Sequence, residues 1–159
     1  MIEGVIIKKL KVHRDIPDTD EQVGRLGYLM EVLRGDEGLL KKFGQSTLTV
    51  AYQGTIKAFH WHERQDDLWF VATGKAVIVL YDNRPASQTY KKTEVLTAGK
   101  DDFKLVVIPV GVLHGYKVVS EEPVLMFYHT TESYDPESPD EKRIPWNDPE
   151  IGFDWTKYN

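Results

Sequence analysis

The 159-residue chain contains no cysteine and no long apolar run. Without cysteine there is no disulfide framework to suggest an oxidising compartment, and no thiolate that could act as nucleophile or metal ligand. No stretch approaches the ~20 apolar residues of a membrane span, and residues 1–4 (MIEG) lack the charged-then-apolar order of a signal peptide. We therefore expect a cytoplasmic protein with no membrane partner.

A basic block is also missing. The 20 Lys and Arg residues are interspersed with 25 Asp and Glu residues, giving a formal net charge of −5. Nothing in this pattern resembles the electrostatic footprint of a nucleic-acid-binding protein, so no nucleic-acid partner is expected. The 41% of hydrophobic residues is enough for one sizeable core, and the length predicts a single domain over residues 1–159.

Between residues 44 and 131 the sequence is a succession of short runs rich in Val, Ile, Thr and aromatic residues, separated by turn formers. This pattern is typical of an all-β sandwich or barrel. Strands are predicted at residues 45–52, 55–62, 67–73, 75–81, 92–97, 104–108, 114–119 and 124–131. Eight strands on short connections favour a closed barrel or jelly roll, because closure removes exposed sheet edges.

The flanking segments are less regular. The alternation of Val5 and Ile7 predicts an N-terminal strand, and residues 15–20 are predicted to form a loop. The short apolar run at residues 28–34 fits either a strand or a helical turn. After Tyr134 the chain is polar and rich in proline, which predicts an irregular, extended or turn-like tail. Its two tryptophans are expected to pack back on the barrel; they are Trp146 and Trp155.

A histidine-rich pattern occupies residues 54–74, which follow the spacing G-x5-H-x-H-x4-D-x6-G. Because alternate residues of a strand point to one face, His60 and His62 are predicted to project together into a barrel interior. A further histidine, His114, follows a proline and glycine turn in residues 109–114 (PVGVLH). The two segments resemble the paired motifs of the cupin superfamily, which implies a cupin-type double-stranded β-helix with His114 beside the other two histidines.

One interpretation of this pattern is a metal site formed by His60, His62, Asp67 and His114. Three histidines and a carboxylate are the usual ligands of metal-binding cupins, and this donor set suits divalent iron, nickel, zinc or manganese. The carboxylate here is Asp67 instead of the usual glutamate, and its arm is shorter. The alternative is that His62 and Asp67 are ordinary polar residues of the barrel rim.

Three further stretches resemble the dTDP-4-dehydrorhamnose 3,5-epimerase family. Residues 108–116 (IPVGVLHGY) are similar to its I-P-x-G-x-x-H-G-F motif, and residues 127–136 (FYHTTESYDP) to its Y-x-x-T-x-x-Y-x-P stretch. Residues 144–155 (IPWNDPEIGFDW) resemble its I-x-W-N-D-P-x-x-G-I-x-W segment. A metal site would not require this tail, so the tail favours the epimerase interpretation.

The resemblance implies an enzyme that acts on a nucleotide-linked 4-keto-6-deoxy sugar, with dTDP as the expected nucleotide, and that needs no cofactor or metal. It implies His60 as the base and Tyr128 as the acid. An imidazole suits proton transfer because its pKa lies near the operating pH. Lys57 occupies the place of a family arginine and would neutralise a phosphate or the enolate; the alternative is an exposed strand lysine.

The remaining predicted substrate contacts also follow from the resemblance; they are His62, His114, Tyr134 and Glu31. Glu31 closes a Gly27-x-x-x-Glu31 pattern similar to the family's R-G-x-x-x-E, but Leu26 replaces the arginine and Arg25 lies one place off. Tyr134 would line the sugar or base site.

Several positions depart from the family pattern. The family's catalytic histidine is hydrogen-bonded to an aspartate of a C-terminal region that is not found before Asn159, so no orienting carboxylate is assigned. Asp67 stands where the family has a lysine, and His62 stands where a glutamine is usual. The resulting His-x-His resembles that of the dTDP-4-keto-6-deoxyglucose 3,4-ketoisomerases, which are smaller cupins.

Three classes of function therefore stay open at this point. The chain is a sugar-nucleotide epimerase or ketoisomerase, a metal-dependent cupin, or a binding cupin without activity. The epimerase is favoured because only its motifs extend into the tail. Members of that family are commonly homodimers with an exchanged N-terminal strand, a role that the alternating Val5 and Ile7 segment would suit.

Overall fold

The computed structural model describes residues 1–22 and 26–158. Its strands, in chain order, are β1 (Ile6–Lys9), β2 (His13–Arg14), β3 (Tyr28–Leu29), β4 (Gln45–Ala51), β5 (Ile56–His62), β6 (Asp67–Thr73), β7 (Lys75–Asp82), β8 (Thr93–Gly99), β9 (Lys104–Ile108), β10 (Val112–Val118), β11 (Val124–Thr130) and β12 (Glu141–Arg143). Short 3₁₀ turns lie at Asp20–Gln22, Gly35–Glu37 and Trp155–Lys157. Within the described ranges, no helix is long and apolar enough to cross a membrane.

Two five-stranded antiparallel sheets form the body of the molecule. The first has the strand order β1-β9-β6-β11-β4 and the second the order β12-β5-β10-β7-β8, while β2 and β3 form a small separate ribbon. Every long strand except β8, which pairs only with β7, thus has a neighbour that is distant in sequence. The arrangement is the jelly roll of the cupin type, and the all-β prediction is confirmed.

Both sheets are covered over part of their outer faces as well as on their inner faces. The interior between them is filled by a cluster that includes Trp69, Ile78 and Met126. The N-terminal segment and loop cover the outer face of the first sheet at Leu68 and Phe70. The C-terminal tail covers the second sheet through a third cluster, with Trp155 at its centre. Because β6 and β7 are buried on both faces, they are continuous apolar runs instead of alternating ones.

The eight central strands lie where they were predicted, with ends that agree to within about two residues. The N-terminal strand is also present as β1, and it pairs with β9 of the same chain. Residues 28–34 were predicted to form either a strand or a helical turn, and only Tyr28–Leu29 forms a strand.

The tail differs from its prediction in two ways. It contributes a strand, β12, to the edge of the second sheet, beside β5. Of its two tryptophans, Trp155 is 2% exposed, whereas Trp146 is 49% exposed. The prediction that Trp146 packs on the barrel is therefore wrong for about half of its side-chain surface. The backbone carbonyl of Trp146 accepts a hydrogen bond from Trp155 Nε1 at 2.9 Å.

Candidate active site

The predicted histidines meet because β5 and β10 are neighbours. His114 of β10 lies directly opposite His60 of β5. Residues opposite each other in an antiparallel pair share a face, and His62 lies two residues beyond His60 on that same face. All three imidazoles therefore point between the two sheets, as the alternation of the sequence predicts.

A β-bulge in β5 adds Lys57 to this face. The pairing steps from His114 opposite His60 to Tyr116 opposite Lys57, so three residues of β5 span two residues of β10. Strict alternation would put Lys57 and His60 on opposite faces, and the bulge brings both to the inner one. Lys57 lies at the mouth of the cavity, where its ammonium donates to Thr49 Oγ1 at 2.9 Å.

The imidazole rings are closely packed. The ring centroids of His60 and His114 are 4.1 Å apart, and His62 lies 5.6 Å from each of them. The indole of Trp69 meets the His114 ring edge-on at 5.0 Å. These neighbours hold His60 in place by packing, and no hydrogen-bonded carboxylate is recorded for its ring in the described part of the chain.

Asp67 is the buried carboxylate of the cluster, 2% exposed. Its oxygens accept hydrogen bonds from Gln65 Nε2 at 2.8 Å and from Trp69 Nε1 at 3.2 Å. Burial alone would raise the pKa of Asp67, but the His114 and His62 imidazoles and the Gln65 amide outweigh it and hold the pKa at about 2. Asp67 is thus an anion in the folded protein.

The His60 imidazole is neutral. Burial and the neighbouring His114 lower the pKa of His60 to about 2, although the charge of Asp67 opposes this shift. Burial likewise lowers the pKa of His62. A neutral imidazole at the cavity wall has a free lone pair, which is the state that a general base requires.

Tyr128 and Trp69 face the histidines from the first sheet, and Tyr116 lies beside His114 on β10. Tyr128 lies on β11 opposite Trp69 of β6, in the first sheet, so it faces His60 across the interior. Burial raises the pKa of Tyr128, which keeps its phenol protonated and able to donate. Tyr116, from β10, is 3% exposed, and its hydroxyl makes no hydrogen bond of ordinary geometry to any described residue.

These groups line a cavity of about 1130 Å³ between the sheets. His60, His62 and Asp67 form its floor together with Trp69, and Tyr128 stands on the opposite wall. Its mouth carries polar and charged side chains; they are Lys57, Arg64, Tyr134, Asp140 and Arg143. The volume suits a ligand larger than a single sugar ring.

Most predicted site residues are brought together, but two are not part of the wall. His114 is 1% exposed, is not among the residues that line the cavity, and packs against the His60 ring. Glu31 lies away from the described cavity lining, and its carboxylate pairs with Arg34 Nη1 at 2.9 Å. Arg25, near the same motif, lies outside the described residues.

Sequence reasoning did not identify Tyr116, Trp69 or Arg143 as site residues. The sequence did contain an indication of Tyr116, because this residue replaces the phenylalanine at the end of the I-P-x-G-x-x-H-G-F motif. Arg143 had none, because the tail strand β12 was not predicted. The strand places Arg143 directly opposite His60 on the cavity face.

The four candidate metal ligands also converge. His60, His62, Asp67 and His114 each offer one ligand atom, and these atoms all lie within 4.8 Å of one another. The arrangement is therefore suited to two chemistries. It can carry out proton transfer between His60 and Tyr128, and it can bind a cation at the cavity floor.

Comparisons with known proteins agree with the motifs. The chain is 50% identical over 155 residues to the spore coat polysaccharide biosynthesis protein SpsL of Bacillus subtilis, covering 98% of this chain and 97% of that protein. It is 31% identical to a dTDP-4-dehydrorhamnose 3,5-epimerase of Methanothermobacter thermautotrophicus, covering 97% and 80%. A crystal structure of a dTDP sugar isomerase from Desulfovibrio desulfuricans superimposes with a TM-score of 0.85 at 25% identity, covering 99% and 94%.

The family pattern described as dTDP-4-dehydrorhamnose 3,5-epimerase matches residues 2–159, nearly the whole chain. The match includes the tail motifs, the two histidine segments and the Tyr128 strand. The chain belongs to the dTDP-4-dehydrorhamnose 3,5-epimerase family.

Proposed function

We propose that this protein epimerises a nucleotide-linked 4-keto-6-deoxy sugar, with dTDP as the nucleotide, by moving protons at C3, C5 or both. The observation that carries the proposal is the placement of His60 and Tyr128 on the two different sheets that enclose one cavity, in a chain of this family. An epimerase has to remove a proton on one face of a carbon and return one on the other, which two opposed groups can do.

The sugar's own ketone makes the chemistry accessible. A C4 carbonyl acidifies the C–H bonds at C3 and C5, and the neutral His60 imidazole accepts one of these protons while the C–H electron pair becomes the C=C bond of an enolate. Tyr128 then donates its O–H proton to the opposite face of the carbon as the carbonyl re-forms. Transfer of the proton from His60 to the Tyr128 phenolate, directly or through water, restores both groups.

The cavity mouth fits the nucleotide diphosphate. Lys57 and Arg143 present cations on the same face as His60, and Arg64 adds a third charge at the rim. Anionic phosphate oxygens form their strongest hydrogen bonds with such groups. Tyr134, 63% exposed at the rim, offers a ring for the base or sugar. The two cations nearest the floor bind the diphosphate, and the sugar reaches His60.

Solvent exchange tests the proposal. In heavy water, the protein should place deuterium at C3, C5 or both of dTDP-4-keto-6-deoxyglucose, measured by NMR and mass spectrometry. The His60→Asn variant should exchange about 10²–10⁴-fold more slowly with its fold intact, because it lacks the base. His13→Asn, which changes an exposed histidine outside the cavity, should match the wild type.

The same measurement distinguishes the other candidate functions. A product whose ketone has moved to C3 would identify a 3,4-ketoisomerase, which the His60-x-His62 pair on the cavity floor favours as second candidate. Absence of exchange in the wild type, or an unchanged rate in His60→Asn, would contradict the epimerase mechanism.

We further propose that the protein is a homodimer. An apolar patch lies on the outer face of β4 and β11, where Leu48 is directly opposite Phe127 and Val50 opposite Leu125. Patches of this kind commonly mark subunit contacts. In the single chain β1 pairs with β9, and whether this strand is exchanged between the two copies stays a prediction. The cytoplasmic location stays a prediction.

A further inference from the structure

Tyr116 contributes to the cavity a hydroxyl that the proposed proton transfers do not use. Its side chain lines the cavity and is 3% exposed. Among the described residues, three buried polar side-chain atoms lack a hydrogen-bond partner, and Tyr116 Oη is the one hydroxyl of the three. An unsatisfied buried hydroxyl is unfavourable, so its place in a cavity wall indicates that a ligand accepts its hydrogen bond.

The local structure holds this phenol in a fixed position. Tyr116 lies two residues from His114 on β10, and therefore on the same inner face. Between these two residues, Gly115 lets β10 approach β5 closely, because a Cβ at this position would lie 2.2 Å from Ala58 Cβ. The indole of Trp69 meets the Tyr116 ring edge-on, with ring centroids 5.8 Å apart. Packing thus orients the hydroxyl before any ligand binds.

The phenol spans the gap between the two sheets. Its strand, β10, belongs to the second sheet and is the neighbour of β5, which carries His60. Its hydroxyl reaches toward the first sheet, where Thr49 and Tyr128 are close enough to influence it, although neither gives a hydrogen bond of ordinary geometry. The hydroxyl therefore lies at the side of the space that separates His60 from Tyr128.

The stereochemistry of proton removal gives that place a use. A C–H bond next to a ketone breaks most easily when it is perpendicular to the carbonyl plane, because its electron pair then overlaps the C=O π system. His60 and Tyr128 therefore lie above and below the plane of the forming enolate, and the C4 oxygen lies in that plane, at the side. As the C–H pair becomes the C=C bond, the carbonyl π pair moves onto this oxygen and makes it an anion.

Two other donors of the cavity wall are already engaged. Trp69 Nε1 donates to Asp67 at 3.2 Å, and the ammonium of Lys57, at the exposed mouth, donates to Thr49 at 2.9 Å. The Tyr116 hydroxyl is buried and uncommitted, and a phenol is protonated at neutral pH. A donor that is shielded from water and held in place stabilises a developing charge more strongly than an exposed one.

We propose that Tyr116 is a further catalytic residue, whose hydroxyl donates a hydrogen bond to the C4 oxygen of the sugar and stabilises the enolate. The proton stays on Tyr116 throughout, and the hydrogen bond strengthens as negative charge develops on the oxygen. This role rests on the proposed function, because the enolate forms only if a proton is removed beside the ketone. It differs from the roles of His60 and Tyr128, which exchange protons with carbon.

The test compares Tyr116→Phe with the wild type in heavy water, with dTDP-4-keto-6-deoxyglucose as substrate. NMR follows two rates separately, deuterium entry into the sugar and formation of the epimeric product. Both reactions pass through the enolate, so Tyr116→Phe should lower kcat for both by the same factor, about 10²–10³, which is the effect of removing one oxyanion donor. KM should change less than about twofold, because the hydrogen bond strengthens only as the enolate forms.

Two further variants calibrate this result. Tyr128→Phe should slow epimerisation more than deuterium exchange, because it removes the returning acid and leaves proton removal by His60 intact. Tyr52→Phe changes an exposed tyrosine outside the described cavity lining, and it should match the wild type in both rates.

Stability separates this role from a structural one. Because the Tyr116 hydroxyl has no partner among the described residues, Tyr116→Phe should unfold at a urea concentration no lower than the wild type does. It should also bind dTDP with unchanged affinity, measured by calorimetry. A clear loss of stability would show that the hydroxyl completes a hydrogen bond of the fold, and this result would overturn the assignment.

The remaining outcomes distinguish this role from the proposed function. Wild-type rates in Tyr116→Phe would refute the role and leave the epimerase function standing. Slower epimerisation with unchanged exchange would assign Tyr116 to proton return, and a higher KM at constant kcat would assign it to substrate binding; either result excludes enolate stabilisation. Absence of exchange in the wild type would contradict the proposed function, and the role of Tyr116 with it.

Discussion

Three buried polar atoms find no hydrogen-bond partner among the described residues, and all three lie around one cavity. They are His62 Nδ1, His114 Nε2 and Tyr116 Oη. Leaving such a group unsatisfied costs about 1–3 kcal/mol, so a fold tolerates it mainly where a ligand completes the set. The unsatisfied atoms therefore mark the functional site independently of any motif.

In contrast to these atoms, the buried carboxylate of Asp82 accepts hydrogen bonds at both of its oxygens. Arg84 donates to both of its oxygens, from Nε at 2.8 Å and from Nη2 at 2.9 Å. The hydroxyls of Ser87 and Thr89 each donate at 2.6 Å. Although burial alone would raise the pKa of Asp82, these hydrogen bonds hold it well below its usual range.

We expect Asp82→Asn to lower the free energy of unfolding at pH 7 by about 3 kcal/mol, because it leaves Arg84 without its buried partner. Since the folded pKa is depressed, the carboxylate stabilises the fold fully above its unfolded value of about 3.9 and less as the pH falls below it. Urea unfolding from pH 7 to pH 3 should therefore show a shallower acid decline in the variant.

The matched control for this prediction is Asp36→Asn. Asp36 also pairs with an arginine two positions away, Arg34, but the pair is exposed to solvent. Exposed ion pairs contribute little to stability, so this variant should unfold like the wild type. An acid decline that is equally steep with and without Asp82 would show that other groups govern it.

At the level of elements, the bulge in β5 marks the limit of prediction from sequence. The strands were predictable because their β-branched runs and turn residues are local signals. The convergence of His60, His62 and His114 followed from alternation plus the motif resemblance. Alternation alone did not place Lys57 beside His60, because a separation of three residues predicts opposite faces unless a bulge intervenes; its predicted role rested on the motif resemblance.

The tail strand β12 was missed for a different reason. Its three residues, Glu141–Arg143, are charged and follow a proline-rich stretch, so neither alternation nor β-propensity indicates a strand. They become a strand because the edge of β5 offers unpaired backbone groups, and because Phe59 and Ile144 exchange backbone hydrogen bonds just beyond. Such pairing is tertiary information that the segment itself does not contain.

β12 also leads to a prediction about substrate affinity. Arg143 faces the cavity opposite His60, whereas the adjacent Lys142 lies opposite Trp61. If Arg143 binds the diphosphate, Arg143→Ala should raise KM for the nucleotide sugar about tenfold, equivalent to ~1.4 kcal/mol, with kcat changed less than about twofold. The effect should shrink in high salt, because the side chain is exposed.

Lys142→Ala is the control for this experiment, since it removes an equal charge from the neighbouring position on the other face of the strand. Steady-state kinetics should leave its KM close to that of the wild type. Equal effects of the two substitutions would indicate a general electrostatic contribution of the tail and no specific diphosphate contact.

At the level of the whole molecule, the segments that cover the two sheets leave few large apolar surfaces exposed to solvent. The N-terminal segment and the tail each cover one outer face, and they leave uncovered the part of the first sheet near its edge strand, β4. There, Leu48 is 50% exposed, Val50 45% and Phe127 38%. In the proposed homodimer, a second copy of the chain covers this apolar patch. It would also protect the edge of β4 from pairing with other strands.

Leu48→Lys should therefore convert the dimer to a folded monomer, because a charged side chain would have to be desolvated at the centre of the apolar contact. Light scattering should give twice the 18.3 kDa of the chain for the wild type and one chain mass for the variant. Val95→Lys, at an exposed apolar position on the edge strand of the other sheet, should stay dimeric. A monomeric wild type at micromolar concentration would exclude the proposed dimer. A Leu48→Lys variant that stays dimeric would show that the subunit contact does not involve the apolar patch on β4 and β11.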